Sequence, residues 1–413
     1  MNSGHSTDRI VELDALRGFA LFGILMVNIL YFAWPWQGYF LESAREPGVL
    51  DQAVLLLIRF LFEGKFITLF SLLFGLGFAM MATSLREREL PFYRMHYRRA
   101  LMLMCFGAAH ILLLWAGDIL LVYGACALVL PLFLNCNTST LRSWIVALLA
   151  VPPCWAMLSL LLFQVQAQDP VAAADLRDAR TTLREEARER LELMDEFYNA
   201  SSFVKVFQAR MLEYAWMIRG TLFGPSGLPY IMAMFLLGVL FGRRGDHLRI
   251  PELLPRWQWH LRWMLPAGGV LTLFYVYALH ATEMLWLDLW FTLMVLFFVL
   301  ATPLMALSWA VLFITAFRRL AGGMLMRGFT SVGRTALTNY LLQSLVATTL
   351  FYGYGLGWYG DLKPATLALV ALAIYVGQMV ISTLYLRHFR MGPLEWLWRL
   401  VTWMKLPGRI SSS

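Results

Sequence analysis

The chain has 413 residues, 60% of them hydrophobic and only 15% charged, well under the roughly 25% charged residues of a soluble globular domain. That composition excludes an ordinary soluble enzyme and predicts an all-α polytopic membrane protein, with room for about ten spans of roughly 20 residues and their loops. The formal net charge of +8 does not mark a nucleic-acid binder, because the arginines stand in short clusters beside apolar runs, as in membrane-flanking segments.

Eight mostly polar residues precede the first apolar run, with no small-residue cleavage site behind it, which predicts a retained first span rather than a removed signal peptide. That span, 13–33, contains LDALRGFALFGILMVNI. Asp14 and Arg17 are spaced i,i+3 for a local ion pair. Gly18 and Gly23 thin the helix for a close neighbour, and Asn28 lies deeper, toward the outer half. A snorkelling arginine with a capping aspartate accounts for the Asp14–Arg17 pair equally well.

The second span, 54–83, contains EGKFITLFSLLFGLGFAM. Glu63 and Lys65 fall in its outer part, and Lys65, Ser71, Gly75 and Gly77 could line a polar seam. Packing glycines and an outward-snorkelling Lys65 are the alternative.

The third and fourth spans, 99–116 and 118–135, enclose GAAHILLLWAGDILLVYG. His110 falls in the outer half of the third span, Gly117 breaks the helix, and Asp118 caps the next one. Seven or eight residues of helix would separate the two side chains by more than about 10 Å, so no direct His110–Asp118 bond is expected unless the hairpin folds back. Glu63 is the first partner expected for His110. An imidazole titrating near neutrality is a natural proton acceptor for a hydroxyl or amine.

After a fifth span at 143–163 comes a long insert, 165–227. Its first part interleaves acids and arginines as a solvated helix. Its second, FVKVFQARMLEYAWMIRG, is expected to lie as an amphipathic helix at the outer interface. Further spans are predicted at 228–242, 264–281, 285–317, 335–355 and 365–387, the eighth broken or tilted around Pro303. The ninth opens with VGRTALTNYLLQS, giving Arg334 at its cytoplasmic end and then Thr338, Asn339, Gln343 and Ser344. Asn339 and Gln343 share a face at i,i+4, and interhelical hydrogen bonding is the plainer role for Gln343. The Trp-rich basic stretch after the tenth span reads as an interfacial helix.

Arginine clusters follow the second, sixth, eighth and tenth spans, while the alternate loops at 34–52 and 281–288 are acid-rich. With ten spans every basic segment falls on one side, so both termini are expected in the cytoplasm and the insert outside. The organisation expected is a five-helix half (1–164), the outer insert (165–227) and a second five-helix half (228–413). The cysteines Cys105, Cys126, Cys136 and Cys154 sit in or beside apolar runs without metal-ligand spacing, so neither disulfide nor zinc is expected. No HExxH, nucleophile elbow, P-loop or CxxC is present in the sequence, leaving hydrolase, ATPase and redox readings without support.

The N-terminal LDALRGFALFGILMVNI, the GKFITLFSLLFGLGF of the second span and HILLLWAGDILLVYG resemble the YeiB-like bacterial inner-membrane proteins, as do VGRTALTNYLLQS and FRMGPLEWLWR near the C-terminus. The N-terminal half also looks distantly like the transmembrane acyltransferase superfamily. Its D-x-x-R-G opening is matched by Asp14, Arg17 and Gly18. That resemblance implies transfer of an acyl group from a cytoplasmic, acyl-CoA-like donor to an extracytoplasmic acceptor, with His110 as the intramembrane histidine. On this basis His110 would act as general base, Arg17 and Arg334 would engage donor phosphates, and Asp14 would orient Arg17. Asn28 and Asn339 would donate to an oxyanion, and Asp118 would shape the outer mouth; Glu63, Lys65 and Gln343 are further candidate binding residues. The expected partners are membrane lipids, the donor and the acceptor, with self-association left open. A translocator without covalent chemistry is the alternative, with the polar residues lining its path; a partner subunit docking through the insert is a third.

Overall fold

A computed structural model describes residues 10–35, 48–282 and 288–404. Its first helices are α1 (Val11–Ala33), α2 (Val49–Leu61), α3 (Lys65–Glu87), α4 (Phe92–Leu113) and α5 (Leu120–Val129). Then follow α6 (Thr138–Gln166), α7 (Pro170–Tyr198), α8 (Phe203–Phe223), α9 (Leu228–Arg243) and α10 (Ile250–Ala281). The chain continues through α11 (Leu289–Arg319), α12 (Met324–Arg334), α13 (Ala336–Phe351), α14 (Pro364–His388) and α15 (Pro393–Trp403). Every regular element among the described residues is helical, and the protein is a polytopic membrane protein. Six segments are long and apolar enough to cross a bilayer: α1, α2 with α3, α6, α10, α11 and α14. α5 and α9 are shorter and apolar.

α2 and α3 form one hinged span. The hinge is Gly64, whose φ of 77° lies in the left-handed region, and a Cβ there would fall 2.5 Å from the Phe298 ring. Glycine alone fits that turn, and the turn sets Glu63 and Lys65 inside the bundle. α11 runs unbroken through Pro303, so of the break or tilt expected there the break is absent. Membrane helices carry prolines when neighbouring groups satisfy the freed backbone; the Thr302 hydroxyl donates to the Phe298 carbonyl, next to the Val299 carbonyl that Pro303 leaves without its N–H donor.

The core mixes the two halves of the chain. A Cβ on Gly18 would collide with the Phe329 carbonyl, and one on Gly333 with the Asp14 carbonyl, so α1 and α12 touch backbone to backbone, as small residues permit in membrane bundles. The arginine-rich segments gather at one end. Arg318 bridges to Glu12 at 3.1 Å, Arg334 donates to the Arg390 carbonyl at 3.0 Å, and the Arg99 guanidinium stacks 3.9 Å above the Trp398 ring. Arg243 donates to the carbonyls of Phe133, Leu134 and Cys136, closing the end of the short helix after α5 as a basic C-terminal cap does. The acidic loop residues Glu42, Glu46 and Glu283, part of the charge asymmetry, lie outside the described residues.

The insert is helical and its second helix makes specific contacts with the bundle. α8 packs on the bundle through Arg210, which is fully buried and donates to the Leu112 carbonyl at the end of α4 at 2.6 Å. The Tyr198 hydroxyl donates to Glu213 at 2.5 Å, and the Gly353 N–H donates to the Tyr198 carbonyl at 2.7 Å. Burial, reinforced by the neighbouring Glu213 charge, pushes the Tyr198 phenol well above its ordinary range. This tyrosine therefore stays a neutral donor, and the insert is bolted to the bundle rather than floating beside it.

Candidate active site

Two cavities open from opposite ends of the bundle. Along α1 the first is lined from Asp14 to Ile24 and the second from Gly23 to Tyr31; along α3 the first takes Phe70–Met81 and the second residues near Phe66. The first cavity, about 250 Å³, lies at the arginine-rich end and is lined by Arg17, Arg99, Arg334, His96, Glu395 and Trp398. Arg17 holds Asp14 at 2.9 Å, the local pair its spacing suggested. Trp398 fixes Arg99 from both sides, under the guanidinium and by donating its indole N–H to the Arg99 carbonyl at 2.8 Å. A planar guanidinium held flat on an indole remains free to present its edge to an oxyanion.

Glu395 is not a counter-charge to those arginines but a cap supplied by another helix. Its carboxylate accepts from the N–H groups of Leu337 and Thr338 at 2.7 and 3.1 Å and from the Thr338 hydroxyl at 2.5 Å. α13 begins without a capping side chain of its own, so Glu395 satisfies donors that would otherwise be orphaned. His96 donates from Nε2 to the Ala127 carbonyl at 2.7 Å, while its buried Nδ1 has no hydrogen-bond partner. Its setting among basic cytoplasmic residues hid this position from sequence reasoning.

The second cavity, about 510 Å³, is lined by Asn28, Glu63, Asp118, Glu213, Trp216 and Tyr275 among others, and among the described residues no lysine, arginine or histidine belongs to its wall. The hydroxyls of Tyr31 and Tyr275 hydrogen-bond to Glu63, whose other oxygen is buried without a partner. Lys65 does not snorkel outward: it is 1% exposed and donates to the Arg59 carbonyl at 2.8 Å. Glu213, Trp216, Met217, Gly220 and Thr221 come from α8, so the insert roofs this cavity, a role its charge pattern did not disclose.

Ile24, Ile119 and Tyr340 line both cavities and form the wall between them. Beside that wall lies a connected set of three side chains. His110 Nδ1 is 2.8 Å from Asp118 Oδ1, and His110 Nε2 is 2.8 Å from Ser344 Oγ. The His110 and Asp118 side chains have 0% exposure, and Ser344 has 1%. The separation expected from helical rise does not hold, because the hairpin folds back. α4 ends at Leu113, and the chain folds back on itself, with the Trp115 N–H still bonded to the His110 carbonyl at 2.9 Å. Gly107 lies one turn before His110, and without a Cβ it lets the start of α5 settle against α4. Asp118 also accepts the Leu121 N–H at 2.7 Å through Oδ2, so it caps α5 and holds the imidazole at once. Glu63, expected as the histidine's partner, is engaged elsewhere, and Ser344 takes that place.

The hydrogen-bond polarity follows from the chemistry. A carboxylate only accepts, so Nδ1 carries a proton, and in the neutral imidazole Nε2 then presents its lone pair to the Ser344 hydroxyl. That is the tautomer a general base requires. Tyr340 packs its ring 5.2 Å from the imidazole and Trp115 lies 6.3 Å away, closing the pair off from water.

Two other expected site residues do not join this set. The Asn339 amide donates to Thr335 Oγ1 at 2.7 Å and Ser382 Oγ at 2.9 Å, which removes it as an oxyanion donor and makes it a clasp between α13 and α14. Gln343 donates to Gln378 at 2.9 Å, and Gln378 donates to the Asn339 carbonyl at 2.9 Å. Among the described residues no group of three or more His, Cys, Asp or Glu side chains is placed to hold a metal ion; the groups placed to hold an anionic cofactor are Arg17, Arg99 and Arg334.

Residues 241–405 match the family model described as "Protein of unknown function (DUF418)". The chain is 30% identical to "Uncharacterized protein YxaH" of Bacillus subtilis (strain 168), covering 97% of this chain and 95% of that protein. It is 31% identical to "Uncharacterized protein YeiB" of Escherichia coli (strain K12), covering 96% of each. It is 27% identical to "Uncharacterized 39.9 kDa protein in amylase 3'region" of Bacillus acidopullulyticus, covering 96% of this chain and 94% of that protein. No solved structure matches.

Proposed function

Because the chain belongs to the YeiB and YxaH family along its whole length, we propose a function for it from its two cavities: it moves an acyl group from a cytoplasmic donor to an acceptor on the outer side of a bacterial inner membrane. The observation that carries this is the shared wall of Ile24, Ile119 and Tyr340 between an arginine-lined cavity and a carboxylate- and aromatic-lined one, with an oriented imidazole beside it. The arginine-rich end faces the cytoplasm by the positive-inside rule. There Arg17, Arg99 and Arg334 bind the phosphates of an acyl-CoA-like donor, with the fork geometry that suits phosphate oxygens. The acceptor enters the outer cavity, where Asn28, Glu63 and Glu213 offer hydrogen bonds and Trp216 and Tyr275 offer flat apolar faces. His110 takes the proton from the acceptor's hydroxyl or amine, and Asp118 stabilises the imidazolium that results. The resemblance of Asp14, Arg17 and Gly18 to the acyltransferase D-x-x-R-G opening supports the same assignment.

The test is binding of acyl-CoA to the purified protein and its Arg17→Ala variant. Saturable binding by the wild type, weakened in the variant, is the expected result; absence of binding by the wild type sinks the proposal. Translocation without chemistry is the second reading, favoured by how thin that three-residue wall is. Uptake of a solute into proteoliposomes with no acylated product would decide for it.

A further inference from the structure

Resting on the acyl-transfer reading above, we propose that Ser344 is a nucleophile that carries the acyl group as a serine ester between the two cavities. Its geometry is the starting point. A serine or threonine in a membrane helix commonly returns its hydroxyl to the carbonyl one turn upstream. Thr68, Ser71, Thr302 and Ser308 all do so in this protein. Ser344 instead directs its hydroxyl to His110 Nε2, 234 residues away in sequence, at 2.8 Å. With Nδ1 donating to Asp118, that nitrogen is the lone pair that removes the serine proton. A nucleophile, a base in hydrogen-bond reach and a third group orienting the base is the arrangement by which serine is activated on unrelated folds.

The position of the set relative to the cavities explains why a carrier is needed. The arginine-lined cavity follows α13 through Ala336, Leu337 and Tyr340, and Ser344 is the next residue on the Tyr340 face, one turn or about 6 Å further in. Asp118 lines the outer cavity. The relay therefore reaches from one side of the wall to the other. Direct transfer would require the donor carbonyl and the acceptor hydroxyl to meet in space that Ile24, Ile119 and Tyr340 fill. A serine ester lets each substrate approach in turn. Tyr340 is both gate and donor: among the described residues its hydroxyl makes long contacts, 3.4 Å to the Ile119 N–H and 3.5 Å to the Gly117 carbonyl, which leaves it able to turn toward a developing oxyanion.

In the first half-reaction Ser344 Oγ bonds to the thioester carbonyl carbon and its proton passes to His110 Nε2. The C–S bond then breaks, and the imidazolium gives that proton to the departing thiolate. In the second, an acceptor hydroxyl attacks the serine ester while its proton passes to Nε2. The C–Oγ bond breaks, and Ser344 recovers the proton as it leaves.

The experiment treats full-length protein in liposomes with a fluorophosphonate probe and, separately, with acetyl-CoA and palmitoyl-CoA, followed by mass analysis of the peptide containing residue 344. The expected result is a covalent adduct at Ser344 with the fluorophosphonate and with one of the acyl-CoAs, absent from Ser344→Ala and formed at least about 100-fold more slowly in Asp118→Asn. Ser344→Cys retains a nucleophile in the same space and should hold the acyl group as a hydroxylamine-labile thioester, which separates loss of chemistry from loss of fold. Adduct formation with the fluorophosphonate but neither acyl-CoA would sink the acyl-CoA reading and leave the nucleophile standing. Full acyl transfer by Ser344→Ala, or no adduct of either kind in the wild type, would overturn the nucleophile.

Discussion

Gly107 lies directly beneath Asp118: a Cβ on the glycine would fall 2.7 Å from the aspartate Oδ2 and would collide with the Leu121 backbone nitrogen. Two helices that close share backbone surface, and the missing side chain is what allows Asp118 to reach His110. Gly107→Ala should therefore lift α5 off α4, costing about 1–3 kcal/mol of stability by overpacking, with activity falling more than the stability loss explains. Gly377→Ala in α14 is the control, because a Cβ there meets nothing within 4 Å, the residue lines neither cavity, and a helical alanine should be neutral or stabilising by roughly 0.5–1 kcal/mol. Melting curves and turnover measured on both variants check this. Equal behaviour of the two would remove Gly107 from the account of the site.

Asp118→Asn keeps the shape of the hairpin and still caps α5 through its side-chain oxygen. Its amide, however, no longer demands a proton on Nδ1, so the imidazole loses its bias toward the tautomer with a free Nε2. The comparable aspartate-to-asparagine change in the serine-protease triad leaves the geometry intact and lowers turnover by about 10⁴; a loss of at least about 100-fold is expected here. Donor affinity should stay within about twofold, since the arginine cavity is untouched. A matching loss of donor binding would show that Asp118 holds the fold rather than the chemistry.

Much of the architecture was legible in the sequence, because apolar runs of membrane length and the bias of arginine between loops are both set by the bilayer rather than by tertiary detail. The Asp14–Arg17 pair, the close approach at Gly18 and the interhelical role of Gln343 were legible for the same local reason: residues three or four apart on a helix share a face. What stayed hidden depended on contacts distant in sequence. Helical rise alone puts His110 and Asp118 far apart, and only the early end of α4 and the bare surface of Gly107 bring them together. Ser344 was visible as a polar residue in a span but carried no mark distinguishing it from Asn339, which proved to be a clasp between α13 and α14. The charge pattern of α8 signalled an amphipathic helix, yet nothing local could say that Arg210 would cap α4 or that Glu213 would line a cavity.

Arg99 was the cation of the first cavity that sequence reasoning passed over, and its stacking on Trp398 makes a specific prediction. Arg99→Ala should weaken binding of a phosphorylated acyl donor by about tenfold or more, and Arg99→Lys should fail to restore it, since an ammonium neither stacks nor forks. Raising ionic strength should weaken wild-type binding more than Arg99→Ala binding, because one screened attraction is already gone. Titrations of acyl-CoA at low and high salt measure both effects. Full rescue by lysine would mean that charge alone, without the held plane, recognises the donor.

Glu395 should make the joint between α13 and α15 sensitive to pH. Burial raises its carboxyl above the ordinary range and outweighs the opposing pull of the Thr338 hydroxyl and the backbone N–H donors. The folded form therefore binds a proton that the unfolded form releases over the interval between the two values. The contribution is fully present below the unfolded carboxyl value and is lost as pH rises through the folded one. Wild-type protein should thus lose stability as pH rises from about 4.5 through the raised folded value, by an amount that Glu395→Gln does not, because the amide keeps an acceptor oxygen for the Leu337 and Thr338 N–H groups without a titrating proton. Melting temperatures of the two proteins across that interval give the comparison. Parallel curves would mean that the carboxylate is already ionised throughout the interval, stabilised by the N-terminus of α13 more strongly than burial opposes it.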